Sequence, residues 1–260
     1  MSGPASPSAP SALVLLHGWG LDSRVWQGLL PALKARLGAD FPLLCLDLPG
    51  YQGRPDLEDP IARSVDALLA QVPLGSVVAG WSLGGLVAQL MAVRDPAKVA
   101  RLALIASTPC FVRKKGWPHG QPAALLAAFA AAVEEDPAGV LPRFSALINQ
   151  GDHQQRALAR QLAPLAHPPL PATPALARGL NWLKDLDLRP LAGRIPQPTL
   201  VLHGDQDPLM PLGAGAWLAH HLPQARLVTV PGAAHVPFLA DPEATAQALT
   251  DLVQQEAPQP

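Results

Sequence analysis

A chain of 260 residues is long enough for one large domain, or one domain carrying an insertion, and with 49% hydrophobic residues it has ample material for a core. A formal net charge of −1 with only 15% charged residues excludes a global electrostatic pull toward nucleic acid or anionic membranes. Cys45 and Cys110 are the only cysteines and both lie in apolar surroundings, which excludes a disulfide scaffold and fits reduced structural thiols in an intracellular protein.

In chain order, the opening MSGPASPSAP has no basic stretch leading into an apolar core, so it does not match a signal peptide. Residues 1–10 are expected to form a disordered tail, as is the closing QQEAPQP. Short β-rich runs then recur as ALVLLHG, PLLCLDLPG, SVVAGWS, RLALIAS, TLVLHGD and RLVTVPG. Their apolar character is continuous rather than alternating, which predicts strands buried on both faces of a mostly parallel central sheet. Helical patterns such as LGGLVAQLMAVRD and PEATAQALTDLVQQ lie between or after them, and this alternation predicts an α/β doubly wound fold with helices on both faces. From Phe111 to Leu183 the rhythm breaks, leaving only proline-punctuated helical segments such as PAALLAAFAAAVEED and HQQRALARQLAPLA. The expected organisation is a core of 11–110 and 184–254, with 111–183 as a helical cap inserted between two strands. No apolar run is long enough to cross a bilayer. A soluble, cytoplasmic monomer without nucleic-acid or membrane partners is expected.

The run VVAGWSLGGLVAQL, Val77–Leu90, carries the chemistry. Gly80-Trp81-Ser82-Leu83-Gly84 fits G-x-S-x-G between a predicted strand and a predicted helix, the context of a nucleophile elbow. Glycines permit the tight turn, the turn exposes the hydroxyl, and the helix N-terminus favours negative charge nearby. A serine hydroxyl is a weak nucleophile without a base. Of the eight histidines, His235 stands out, on the small-residue loop VPGAAHVPF that follows the last predicted strand. His220 and His221 fall in an exposed helical stretch, and His17 and His203 precede glycines after strands, where they suit backbone positioning. His119, His153 and His167 lie in the cap, where solvated surface is the plain reading. The chain order Ser, Asp, His puts the orienting carboxylate between Ser82 and His235. LVLHGDQDPLMP offers Asp205 and Asp207 there, and nearness to the strand end decides for neither. The expected oxyanion donors are the backbone N–H groups of Leu83 and, from LLHGWGLD, of Trp19. This chemistry needs no metal and no organic cofactor.

On LLHGWGLDSRVW, LDLPGY, GWSLGGLVAQ, STPCF, LPRFSAL, LKDLDLR, HGDQD and PGAAHVPF, which span nearly the whole chain, the sequence resembles the α/β-hydrolase superfamily. Within it the resemblance is closest to the pimeloyl-[acyl-carrier protein] methyl ester esterases of biotin synthesis. It implies the α/β-hydrolase fold and a cofactor-free serine carboxylesterase whose partner is acyl-carrier protein bearing the esterified acyl chain. By this resemblance the nucleophile, acid and base fall on Ser82, Asp207 and His235, which favours Asp207 over Asp205. Substrate contacts are implied for Trp19, Ser82, Leu83 and His235 and for the cap segment Phe144, Ser145, Ala146, Leu147 and Ile148. Carrier-protein contacts are implied for Arg143, Arg156 and Arg160. The chain also departs from that pattern. A further carrier-contacting arginine is replaced near Gly139, and LPGYQGRPD differs after its aromatic position. The start is too short for the family's opening strand pair, so a sheet with fewer strands is expected.

Charge adds an argument of its own. From Phe111 to Trp182 there are seven Lys/Arg against four Asp/Glu, so this segment is +3 within a chain of −1. Arg156 and Arg160, four apart, share a helix face. Such a patch attracts an acidic carrier, although on charge alone a solvated helix face fits equally. Three alternatives accompany the esterase reading. One is a broad short-chain esterase, or a cofactor-free haloperoxidase or C–C hydrolase of the same fold. Another is a dehalogenase or epoxide hydrolase, but those normally place aspartate where this chain has Ser82. The last is a non-catalytic binding module, which commonly loses a triad member that this sequence keeps.

Overall fold

The computed structural model describes residues 10–57, 60–167 and 170–255. Of the two expected tails, 1–9 and 256–260 therefore lie outside the described residues.

The six runs read as strands form the six strands of one sheet. The first half of the fold runs β1 (Leu13–Leu16), α1 (Leu30–Leu37), β2 (Leu43–Leu46), α2 (Ile61–Leu69), β3 (Ser76–Trp81), α3 (Leu83–Arg94) and β4 (Val99–Ile105). Four α-helices follow with no strand between them: α4 (Ala123–Glu135), α5 (Pro137–Leu147), α6 (Gln155–Leu162) and α7 (Thr173–Asp185). The chain then returns through β5 (Thr199–Gly204), α8 (Leu212–His221), β6 (Ala225–Val230), α9 (Pro237–Ala240) and α10 (Pro242–Gln254). The sheet order is β2-β1-β3-β4-β5-β6 and every neighbouring pair is parallel. This is the α/β-hydrolase fold with six parallel strands.

Continuous apolar sequence corresponds to burial at the centre of the sheet, where β1, β3 and β5 are buried at every position. The edges differ. β2 is mostly half-buried and β6 exposes Arg226 and Thr229, because an edge strand has a neighbour on one side only and the flanking helices lie chiefly over the centre. Among the described residues the inserted stretch contains no strand, only isolated bridges pairing Val112 with Gln121 and Lys114 with Trp117. Nor is any described helix long and apolar enough to cross a membrane.

The strand order positions the site. Parallel crossovers are right-handed, so the step outward from β1 to β2 puts α1 on one face. The steps in the opposite direction put α2, α3 and α8 on the other, and α10 completes the first face by packing on α1. The direction reverses between β1 and β3, and the crevice beyond the carboxyl ends of strands at such a reversal is where α/β folds bind ligands. The stretch after β1 carries Trp19 and the turn after β3 carries Ser82.

Candidate active site

Only Ser82 separates β3 from α3, and its backbone takes φ 55° and ψ −119°, a sparsely populated region that costs about 1–3 kcal/mol for a non-glycine residue. Close packing holds it there. A Cβ on Gly80 would lie 2.2 Å from the Gly84 carbonyl oxygen, and one on Gly84 would lie 2.5 Å from the His17 carbonyl oxygen. Backbone therefore meets backbone at both glycines of the motif. Ser82 N–H donates to Ile105 O (2.9 Å) and the Ser107 hydroxyl donates to Ser82 O (2.8 Å), tying the turn to β4.

Two later loops bring partners to this serine from far along the chain. His235 Nε2 lies 2.9 Å from Ser82 Oγ, and His235 Nδ1 lies 2.7 Å from Asp207 Oδ2. A carboxylate oxygen accepts, so Nδ1 carries the proton and Nε2 is left bare to accept from the serine hydroxyl. All three residues are buried, with Ser82 7% and Asp207 8% exposed. Leu209 N–H and Met210 N–H both donate to Asp207 Oδ1 at 2.9 Å, so each carboxylate oxygen has a distinct task. Asp205 is exposed and accepts from Gly232 N–H (2.8 Å), which places it under the histidine loop rather than against the imidazole. The Trp81 indole N–H donates to His235 O (2.7 Å).

The inserted helices also grip the histidine loop. His235 N–H donates to Ile148 O (3.2 Å), Ala234 N–H to Asp152 Oδ2 (2.8 Å), and His153 N–H to Gly232 O (3.0 Å). Asp152, buried and with no motif around it, carried no signal in the sequence. His153 is exposed, yet its ring also bonds Gly232 O (2.8 Å).

The turn after β1 is pinned from behind. His17 Nδ1–H donates to Gly18 O (2.8 Å), its Nε2 accepts from Leu48 N–H (3.0 Å), and the Tyr51 hydroxyl oxygen accepts from Gly20 N–H (3.1 Å). A Cβ on Gly18 would touch Ser82 Cβ at 3.1 Å, so this turn lies directly against the serine. Neither Trp19 N–H nor Leu83 N–H has an acceptor among the described residues. Two free amide donors on the backbone flanking one serine suit a developing oxyanion.

Ser82 opens into an apolar pocket of roughly 670 Å³, counting its open mouth. Trp19 forms one wall, its indole N–H held by Leu176 O (2.8 Å) and its ring packed edge-on against Phe129 and Phe144. Leu125, Leu126 and Phe129 come from α4, and Leu209 and Met210 from the turn that holds Asp207. Leu125 and Leu147 line the pocket while staying 59% and 42% exposed, so they form its lip. Of the segment 144–148, only Phe144 and Leu147 line this space, because three residues along a helix return to the same face. Ser145 instead donates to Pro142 O (2.8 Å), Ala146 is exposed, and Ile148 contributes its carbonyl to His235. Leu83 is buried beside Trp19 and Gly179.

Arg143, on α5, and Arg156 and Arg160, on α6, are all exposed and make no ion pair among the described residues. Arg178, counted in the same positive segment, is buried against Asp56 and Pro49 O, so its charge is already neutralised.

Two buried histidines give the fold a pH dependence. Burial pushes His17 and His203 below the ordinary histidine value of 6.5, against the opposing pull of the Gly18 carbonyl on His17 and the Asp207 charge on His203. The unfolded chain takes up these protons near pH 6.5 and the folded chain resists until lower pH, so this stability is complete above pH 6.5 and is lost below it. The slope is at most about 1.4 kcal/mol per pH unit for each histidine. Urea midpoints measured from about pH 7 to about pH 5 should fall steadily. A flat profile would contradict neutral burial of the pair.

A family model described as the alpha/beta hydrolase fold matches residues 11–242. The chain is 43% identical over 247 residues to a protein of Aromatoleum aromaticum named pimeloyl-[acyl-carrier protein] methyl ester esterase, covering 93% of this chain and 97% of that one. It is 40% identical to a Nitrosomonas europaea protein of the same name, over 89% of this chain and 91% of the other. Among solved structures, an esterase from Exiguobacterium antarcticum superposes with a TM-score of 0.80 at 20% identity, covering 95% of this chain and 94% of that chain, a likeness of fold.

Proposed function

The chain belongs to the α/β-hydrolase family and groups there with the pimeloyl-[acyl-carrier protein] methyl ester esterases, and from that premise we propose that it hydrolyses the methyl ester of a pimeloyl chain carried on acyl-carrier protein, in biotin synthesis. The observation that carries the chemistry is the continuous hydrogen-bonded line from Ser82 through His235 to Asp207, opening into an apolar pocket. In this reading 11–110 and 184–254 form the catalytic core and 111–183 a helical cap over the acyl chain. The enzyme works as a cytoplasmic monomer.

As Ser82 Oγ attacks the ester carbonyl carbon, its proton passes to His235 Nε2, and the carbonyl electron pair moves onto oxygen between the amides of Trp19 and Leu83. Asp207 holds the imidazole in orientation and balances the positive charge it gains. Collapse re-forms the carbonyl and breaks the bond to methoxy oxygen, which takes the proton from Nε2 and leaves as methanol. Water then surrenders a proton to the same nitrogen and attacks the acyl-serine, restoring Ser82 and releasing the carboxylic acid. Among the described residues no charged side chain lines the pocket. A neutral methyl ester therefore enters without an uncompensated charge, whereas a carboxylate would be desolvated with no partner.

The exposed Arg143, Arg156 and Arg160 are read as the docking face for the acidic carrier. Reversing Arg156 and Arg160 to glutamate is expected to lower kcat/KM for the carrier-bound ester about 10- to 100-fold at low salt. The loss should shrink at high salt and leave a small free ester almost unchanged. Equal losses on both substrates would assign the arginines to packing of the cap instead. The function itself is tested by complementing a biotin-requiring strain that lacks this esterase, with Ser82→Ala as control. Growth restored equally by both proteins, or by neither, would sink the assignment.

A further inference from the structure

The carboxylate that orients His235 sits on the turn Asp207–Met210, between β5 and α8. The amides of this turn point inward, those of Leu209 and Met210 donating to Asp207 Oδ1. Its carbonyls face two other residues. His203, from β5, donates from Nε2 to Met210 O (2.6 Å). Gln121 donates from Nε2 to both Pro208 O (3.0 Å) and Leu209 O (2.7 Å). A primary amide has two N–H protons, and both are committed here, which fixes the orientation of the whole carboxamide.

Gln121 does not belong to the sheet. It stands in the inserted stretch two residues before α4, and its own backbone is anchored by donating to Phe111 O (2.7 Å) and accepting from Arg113 N–H (2.8 Å). It also lines the pocket. One half-buried neutral side chain therefore joins the inserted helices, the acyl pocket and the turn that carries the carboxylate.

We propose that Gln121 is a positioning residue for hydrolysis, locking the turn Asp207–Met210 so that Asp207 meets His235 in the geometry that lets Nε2 take the serine proton. The proposal rests on the reading of Asp207 as the triad acid. A turn fixed at both its amides and its carbonyls has no freedom to rotate the carboxylate away from the imidazole, and small displacements of a catalytic group carry large rate losses.

The test uses the purified full chain and a p-nitrophenyl butyrate assay, with thermal unfolding recorded for every variant. Gln121→Met keeps the shape and removes both donors, and is expected to lower kcat about tenfold while KM changes less than about twofold. Gln121→Glu sets a carboxylate against two carbonyls, should be at least as damaging, and carries the comparison if the methionine variant unfolds. The decisive step is a cycle with Asp207→Ala. With no carboxylate to position, adding Gln121→Met should change kcat less than about twofold. A full tenfold loss in that background, or a rise in KM with kcat intact, would make Gln121 a pocket wall or a fold contact and overturn the proposal. Asp207→Ala at undiminished rate would overturn the triad reading together with it, and is told apart because Gln121 plays no part in that result.

Discussion

Ser82→Ala should lower kcat for ester hydrolysis by about 10⁴- to 10⁶-fold while the protein stays folded. The alanine removes the hydroxyl that bonds His235 Nε2, the only one that does so among the described residues, and leaves the imidazole, the free amides and the pocket as they are. What activity survives comes from binding and oxyanion stabilisation acting on water. His235→Ala should be comparably severe, and Asp207→Asn should cost about 10³- to 10⁴-fold, since an amide in place of the carboxylate favours the wrong imidazole tautomer. Asp205→Asn should stay within about tenfold of the parent, because Asp205 holds Gly232 N–H at the surface and does not touch the ring. Single-turnover measurements on a methyl ester, with unfolding curves alongside, decide the matter. Asp205→Asn proving worse than Asp207→Asn with the fold intact would move the acid to Asp205.

The largest expected effect on stability comes from one methyl group. Gly80→Ala puts a Cβ 2.2 Å from the Gly84 carbonyl oxygen and 2.6 Å from Gly85 N, and all of these neighbours are backbone. No side chain can swing aside. Either α3 moves off the end of β3 or the strand is displaced, and both sit at the centre of the buried core. A loss of roughly 3 kcal/mol or more is expected, in the range of severe overpacking, with activity falling further because the serine turn is what shifts. Urea unfolding measures it directly. A midpoint unchanged from the parent would show that the elbow has slack that the packing of Gly80 on Gly84 denies.

Much of this was legible in the sequence, and the reasons are physical. Strands buried on both faces are filled chiefly by apolar residues, so β1 and the apolar stretches 77–79 of β3 and 200–202 of β5 stand out. The buried polar members Ser76, Thr199 and His203 sit toward the strand ends. The serine turn is legible because backbone packed on backbone admits only glycine at positions 80 and 84. The choice between Asp205 and Asp207 was not, since both lie on one short loop and the difference is which side of it each carboxylate leaves. Gln121 and Asp152 gave no signal at all. Their partners in the loops that carry Asp207 and His235 are backbone groups 82 to 88 positions away, and a side chain bonding to a distant backbone imposes no pattern on the residues beside it. The one local bond, Gln154 N–H to Asp152 Oδ1, marks a turn and does not point to the histidine loop. The pocket wall fell between these cases. Leu125, Leu126 and Phe129 fit a helical spacing, but helical spacing alone does not say whether an apolar face meets the core or an empty space.

The inserted stretch performs two tasks with two sets of residues that meet at Gln121, which both lines the pocket and holds the Asp207 turn. Apolar side chains on α4 and α5 shape the pocket, while Gln121, the Ile148 carbonyl and Asp152 hold the loops that carry Asp207 and His235. Exchanging one leucine or phenylalanine for another alters the room available to an acyl chain without touching those hydrogen bonds. Selection for a different ester can therefore act on the first set while the second is retained. Descendants of such a chain would diverge in what they accept long before they lost the capacity to react, and grafting foreign helices in place of the inserted stretch would fail unless the three anchors travelled with them.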